Sequence, residues 1–528
     1  MAVSRLLIDH LLDMLAWLVG HGLFRTVEVV GAERVPRDRP VIIVANHFNG
    51  LVDAVLLAVI VRGVPRFIAK STLWRSLLLR PLLGLAGLVP VSRREDRDDR
   101  VDNFARLSAK HAADRLRRAR IGARLSAKHA ADRLRRARIG ARPSAKHAAE
   151  PSALNPRSFE RATQLLGDRA TLAIFPEGTT HDRLELAQVR TGAARIALGA
   201  RAAGVSGVVI VPIGLTFDDK LALRSRVLAR VGDAIDVDTW ATEVAGSDIP
   251  AGSKRAASDA PVGAEHAAAA PVDGEPAAGR LLTESDRAAV RLLTDTIRSR
   301  LSDVTPRYRD VLDRAILNRA AEVRLRRDVD SPGRIIPLTR REALAQRVAD
   351  APADATNAVI AAQGAYQLRL DLVRLRDEQL MPPVQPRWLL RRALGLTAYL
   401  ALLGVVVLAG IAVNALPTLL TAAAGRRPQA PASKGTVRVL TALVAFPLTW
   451  IIIAVALPIT GVLPTTLAFL ACPVSGGVAV GGLERAIALA RAWAGWMGLR
   501  NARDLLGRIH EARAHVCDQV DATTGESR

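Results

Sequence analysis

Between Val27 and Leu228, short apolar and β-branched runs alternate with longer stretches of helical periodicity. The runs are VEVV at Val27–Val30, VIIVAN at Val41–Asn46, GLVPVS at Gly87–Ser92, TLAIFPEG at Thr171–Gly178 and VVIVPIGLTF at Val208–Phe217. Strands spaced by helices predict an α/β domain over residues 27–242. Residues 243–280 are rich in Ala, Gly, Pro and Asp and almost free of large apolar side chains, which predicts a disordered linker. Leucines then recur at helical spacing among arginines, as in RAAVRLLTDTIRSRL at Arg287–Leu301, so residues 281–386 read as charged helices.

Two stretches beyond that point carry no charge at all, one between Arg392 and Arg426 and one between Arg438 and Glu484. Each exceeds the roughly 20 residues that cross a hydrocarbon core. The second has room for two crossings with a turn near Pro458, Thr460 and Gly461. The first fits one tilted helix or a re-entrant hairpin broken near Asn414 and Pro417. Residues 387–483 are therefore expected to form transmembrane or re-entrant segments, and 484–528 a C-terminal helical tail. Arginines flank every end, so the positive-inside rule gives no orientation. At the N-terminus, Asp9, His10 and Asp13 interrupt an apolar stretch with no small-residue cleavage site after it. A retained helix over residues 1–26 follows, lying either in a membrane interface or packed on the protein surface.

Charge sharpens this picture. The 74 Lys and Arg against 51 Asp and Glu leave +23, a field that favours nucleic acid, anionic lipid or phosphorylated ligands. Part of the excess sits in a repeat: ARLSAKHAADRLRRARIG at Ala105–Gly122 recurs unchanged at Ala123–Gly140 and decays into ARPSAKHAAE, a basic insertion over 105–150. Its apolar positions are mostly alanine, so the expectation is a tolerated, solvated insertion. Aromatic residues are scarce across it, which removes the stacking platform of single-strand binders, and no nucleic acid is expected as a partner. The two cysteines, Cys472 and Cys517, suit neither a metal site nor a disulfide framework.

A few polar residues interrupt the apolar runs of the first domain. His47 follows VIIVAN and precedes a helical run, at the C-terminal edge where open α/β sheets hold ligands. A histidine beside a carboxylate takes a proton from a hydroxyl while the acid fixes its tautomer, and Asp53 is the nearby acid. The same pair is also compatible with a structural role. AIFPEGTTHDR at Ala173–Arg183 ends another strand with Glu177, Gly178 and Thr179. An ionised carboxylate there needs a partner, which substrate hydroxyls would provide while Gly178 lets backbone approach the ligand. Arg93 follows a third strand, where a guanidinium suits either bidentate phosphate recognition or a solvated loop. No G-x-S-x-G elbow, zinc pattern, P-loop or dinucleotide fingerprint is present.

In order along the chain, NHFNGLVD, GLVPVSR, FPEGTTHD and VVIVPIG resemble the four sequence blocks of the PlsC-type glycerolipid acyltransferases, over about Val27–Leu228. The resemblance implies an α/β fold, a sheet flanked by helices, followed here by charged helices and C-terminal transmembrane helices. It implies His47 as general base and Asp53 as its orienter. Asn46, Arg93, Glu177, Gly178, Thr179 and Pro212 would form the substrate site, with Arg93 holding a phosphate, Glu177 and Gly178 the glycerol phosphate, and Pro212 shaping the pocket. The implied reaction moves a fatty acyl group from acyl-CoA or acyl carrier protein to glycerol 3-phosphate, dihydroxyacetone phosphate or 1-acylglycerol 3-phosphate. No bound cofactor, metal or covalent acyl-enzyme is implied. Membrane lipid is the expected partner, and the expected location is the cell membrane with the catalytic domain facing the cytoplasm. Phe48 to Val52 put one more residue between His47 and Asp53 than most of the family has. In this, in THDR and in the apolar C-terminal region the chain resembles the branch of eukaryotic-type glycerol-3-phosphate and dihydroxyacetone-phosphate acyltransferases. Two other readings stand beside it: a nucleic-acid or anionic-lipid binding protein using the basic repeat, and a lipid transporter or scramblase with an inactive acyltransferase-like domain.

Overall fold

Strand β2 (Val41–Ala45) is fully buried along its whole length, as an apolar run at the centre of a sheet must be. The computed structural model describes residues 14, 19–20, 22–61, 63, 65–70, 80, 84, 87–91, 156–181, 185–219, 222, 224–246, 284–330, 334–380, 385–426, 431–457, 461–501 and 503–525. The basic repeat, Arg93 and most of the expected N-terminal helix lie outside these residues. Of that helix, Met14, Val19, Gly20, Gly22 and Leu23 are helical, and strand β1 (Phe24–Val30) begins directly after them.

Around β2 the sheet adds β3 (Arg66–Lys70), β4 (Val89–Val91), β5 (Thr171–Ile174), β6 (Val209–Phe217), β7 (Ser225–Val231) and the short β8 (Ile235–Asp236). The order is β1-β7-β6-β2-β5-β3-β4, with β8 beside β6. All pairs are parallel except β6 with β7 and with β8. Period-two alternation divides the core. Ile42, Val44, Leu172 and Ile210 face one cluster with α2 (Pro156–Gly167), α3 (Gly192–Ala202) and α5 (Glu284–Val304). Val41, Ile43, Ala45, Ala173 and Val211 face the other, with α1 (Leu51–Val61). Helix α4 (Val237–Gly246) extends past residue 242 and occupies the first residues assigned from composition to a linker.

Pro212 lies in the middle of β6, where a missing N–H would ordinarily break a ladder. It is placed between the last residue paired with β8, Ile210, and the first paired with β7, Ile213, and its carbonyl accepts from Gly232 N at 2.8 Å. The proline therefore marks a change of neighbouring strand. At the far edge, Ser158 Oγ of α2 donates to the Pro90 carbonyl of β4 at 2.6 Å, which joins those two elements directly.

Helices α6 (Val311–Arg326), α7 (Leu338–Ala349), α8 (Ala353–Val373) and the C-terminal α13 (Arg503–Thr524) form a separate core around Tyr366, Leu344, Val516 and Val520. The bundle is tied to the sheet by charge: Glu28 of β1 accepts the N–H groups of Leu338 and Thr339 at the start of α7, 2.8 and 2.9 Å away. Asp218, just past β6, pairs with Arg341 at 2.6 Å and with Arg226 at 3.2 Å.

A short α9 (Asp377–Leu380) leads to α10 (Pro386–Ala424), α11 (Pro431–Ala456) and α12 (Val462–Asn501), three helices long and apolar enough to cross a membrane. The first apolar run is thus one continuous helix and not a hairpin. Pro417 sits inside it, and Asn414 is a polar node joining all three helices: Nδ2 donates to the Gly410 and Cys472 carbonyls, and Oδ1 accepts from Trp450 Nε1 at 3.0 Å. The second run divides into α11 and α12, with Gly461 before α12 at φ +109°. Helix α12 passes through residue 484 without a break, so the expected boundary between membrane segments and tail falls inside a helix.

Candidate active site

The site forms at the C-terminal ends of the parallel neighbours β2 and β5. Chain leaving β2 carries Asn46 and His47; chain leaving β5 carries Phe175, Pro176 and Glu177. Asn46 is buried, its Nδ2 donating to the Leu215 carbonyl at 3.0 Å and its Oδ1 accepting Leu215 N at 2.7 Å. Its side chain thereby continues the β2–β6 ladder after β2 has ended. The amide thus ties the end of β2 to β6.

Asp53 stands in the first turn of α1, fully buried. Its Oδ2 accepts from His47 Nδ1 at 3.0 Å, Phe48 N at 2.8 Å and Asn49 N at 2.7 Å. The chain loops from strand to helix around this one oxygen, with Gly50 in the left-handed region at φ +57°. With Nδ1–H given to Asp53, the lone pair of the neutral ring is on Nε2. That nitrogen makes no hydrogen bond among the described residues, and the side chain keeps 17% of its surface exposed. The ring stacks on Phe175, with centroids 4.0 Å apart and planes 13° from parallel. Two contacts therefore fix the imidazole, one in its plane and one on its face.

Glu177 sits among protein donors. It is buried, with Oε1 accepting His47 N at 2.8 Å and Oε2 accepting Ala187 N at 2.8 Å and bonding His181 Nε2. A carboxylate this enclosed needs partners, and the fold supplies these donors. Its action is to join the β2 loop, its own loop and the segment before α3. Gly178 holds φ +71°, and a Cβ there would lie 3.0 Å from Arg190 Nε and 3.1 Å from its Cδ. Thr179 is exposed at the tip of the loop. Pro212 is within the sheet, as described, and Arg93 is outside the described residues.

Three contributors escaped the sequence reading. His181 reaches Glu177 from four residues on, and the THDR block was the signal that could have raised it. Phe175 stacks on His47 from the neighbouring strand end, which no local pattern announces. Arg190 is half-buried over Gly178, and among the described residues its guanidinium makes no hydrogen bond or ion pair. A solitary arginine in the segment before α3 carries no motif that would distinguish it.

Residues 26–216, which contain all of these groups, match the family described as Acyltransferase. The chain carries an acyltransferase-family domain. Over 85 residues it is 38% identical to Glycerol-3-phosphate O-acyltransferase 2 of Saccharomyces cerevisiae, a match that covers 16% of this chain and 11% of that protein. The chain thus spans about a tenth of the length of that curated relative. A solved structure of the 1-acyl-sn-glycerophosphate acyltransferase PlsC from Thermotoga maritima is 18% identical, covering 46% of this chain and 78% of that one, at a TM-score of 0.28. The geometry of residues 26–216 offers a ring nitrogen open to the surface, an acid behind it and, on the adjoining loop, a guanidinium with no charge partner among the described residues.

Proposed function

We propose that the protein transfers a fatty acyl group from acyl-CoA or acyl carrier protein to a hydroxyl of glycerol 3-phosphate or 1-acylglycerol 3-phosphate, at the surface of the cell membrane and from its cytoplasmic side. The observation that carries this reading is the His47–Asp53 pair, with Nδ1 engaged and Nε2 open at the C-terminal edge of the sheet of an acyltransferase-family domain. Nε2 takes the proton of the acceptor hydroxyl as its oxygen attacks the thioester carbonyl. The tetrahedral oxyanion then collapses, the C–S bond breaks, and the thiolate leaves with the proton from His47. Asp53 keeps the ring in the required tautomer and stabilises the imidazolium that forms in between. No covalent acyl-enzyme is needed. An acceptor bearing a phosphate suits Arg190, a guanidinium with no carboxylate partner among the described residues, beside the Gly178 turn. Three helices able to cross a membrane support a lipid-facing setting.

The test is radiolabelled acyl transfer on membranes holding the full chain, offered both acceptors. His47→Ala is expected to lower turnover by about three orders of magnitude or more, within the range of lost general-base catalysis, with membrane association unchanged. Wild-type turnover in that variant removes the base from the mechanism.

A further inference from the structure

The first turn of the α11 candidate span touches the loop that holds the catalytic pair. Gly50 occupies the N-cap position of α1, where a serine or aspartate side chain would ordinarily take one of the unpaired N–H groups of the first turn. Glycine has no such atom. The hydroxyl of Thr436 fills that place from another element: its Oγ1 accepts Leu51 N at 3.2 Å and donates to the Asn49 carbonyl at 3.4 Å. The approach is close from both sides. A Cβ on Gly50 would come within 2.5 Å of Thr436 Oγ1, and one on Gly435 within 3.0 Å of Val52 Cγ2. Val439, three residues along α11, is fully buried in the same apolar cluster as Leu56 and Ile60 of α1.

The loop thus has two ties. Asp53 Oδ2 gathers the N–H groups of Phe48 and Asn49 from the helix side, and Thr436 holds the Asn49 carbonyl and the Leu51 N–H from the membrane-helix side. Asn49 is common to both. We propose that Thr436 is a positioning residue of the acyl-transfer site: capping α1 from the end of a candidate membrane span, it keeps the Phe48–Leu51 loop where Asp53 can align His47. Helix α11 is then part of the catalytic apparatus as well as a tether, and its seating is coupled to the alignment of the base. This inference rests on the reading of His47 as general base.

Kinetics on the full chain in lipid vesicles test it, with acyl-CoA as donor and glycerol 3-phosphate and 1-acylglycerol 3-phosphate as acceptors. Thr436→Val, which keeps the shape and removes the hydroxyl, is expected to lower kcat about tenfold, the rate equivalent of roughly one lost hydrogen bond. KM for donor and acceptor should stay within about twofold. Thr436→Ala should behave like the valine variant, and Thr436→Ser should return kcat to within about twofold of wild type. Wild-type kcat in the valine and alanine variants overturns the proposal, and so does a serine variant as slow as the valine one. His47→Ala in the same vesicles separates the two readings. If it remains active, the general-base mechanism fails; if it is inactive while Thr436→Val turns over normally, only the role of Thr436 fails.

Discussion

Asp53 Oδ2 and Glu177 each act on His47 from a different side, one through the ring and one through the backbone N–H. With the backbone anchored by Glu177 and the ring held by Asp53 and stacked on Phe175, the imidazole has little freedom to rotate, which is what a proton acceptor needs if its nitrogen is to meet a hydroxyl in one geometry. The partnership of His47 with Asp53 was legible in the sequence, since the intervening residues bring a strand end and a helix start together. The role of Glu177 was not, because its donors come from His47, His181 and Ala187, and only the fold brings the first of these within reach. Arg190 is the residue whose contribution is separable from the base. Arg190→Ala is expected to raise KM for glycerol 3-phosphate about tenfold or more while kcat changes less than about threefold, since a charge-assisted bond to phosphate is worth roughly 1.5–3 kcal/mol. Steady-state kinetics at saturating donor check this, and an unchanged KM would place the phosphate elsewhere.

Among the strands, β2, β5 and β6 were legible because strands buried on both faces are apolar at consecutive positions. β3 and β7 were not read as strands. RFIAK has charge at both ends, and SRVLARV interrupts its apolar positions with two arginines, so neither stands out from a charged loop. β7 also reverses direction against β6, which the spacing of a parallel α/β pattern does not anticipate. Close contact between elements is equally invisible along a sequence. Gly214 of β6 meets the end of α5, where an added Cβ would stand 2.1 Å from the Val304 carbonyl oxygen and 2.6 Å from its carbon. Backbone cannot move aside as a flexible side chain can. Gly214→Ala is expected to destabilise the sheet by about 1–3 kcal/mol, the usual range for overpacking, seen as a lower thermal midpoint in detergent with the membrane helices still inserted. An unchanged midpoint would mean that α5 shifts freely over β6.

Across the whole molecule, the sheet, the bundle and the membrane helices are joined by a small number of polar contacts. Like Glu28, Asp218 is one of those between sheet and bundle. Burial alone would raise its pKa, but Arg341 and Arg226 outweigh burial and hold the carboxyl below its ordinary value of 3.8. A lowered folded-state value means that its contribution is fully present above the unfolded value and is lost as pH falls through the folded one. Acid unfolding followed below pH of about 4 should therefore be steeper in the wild type than in Asp218→Asn, which loses the contribution at every pH. Parallel acid curves would show that Asp218 does not govern the interface. On another side of the domain, Arg224 reaches Glu484 of α12 at 2.8 Å, a second link to the membrane helices besides Thr436.

The bond from Ser158 to the Pro90 carbonyl bears on how this gene can change. It fastens Ser158 of α2 to Pro90 of β4, the described elements on either side of the repeat in sequence, at the rim of the sheet and outside the strands that carry the catalytic residues. Gain or loss of an 18-residue copy by replication slippage leaves both fastening points in place, and each doubling of the enclosed chain adds only about 0.6 kcal/mol to its closure. A change in copy number is therefore expected to cost little in loop closure.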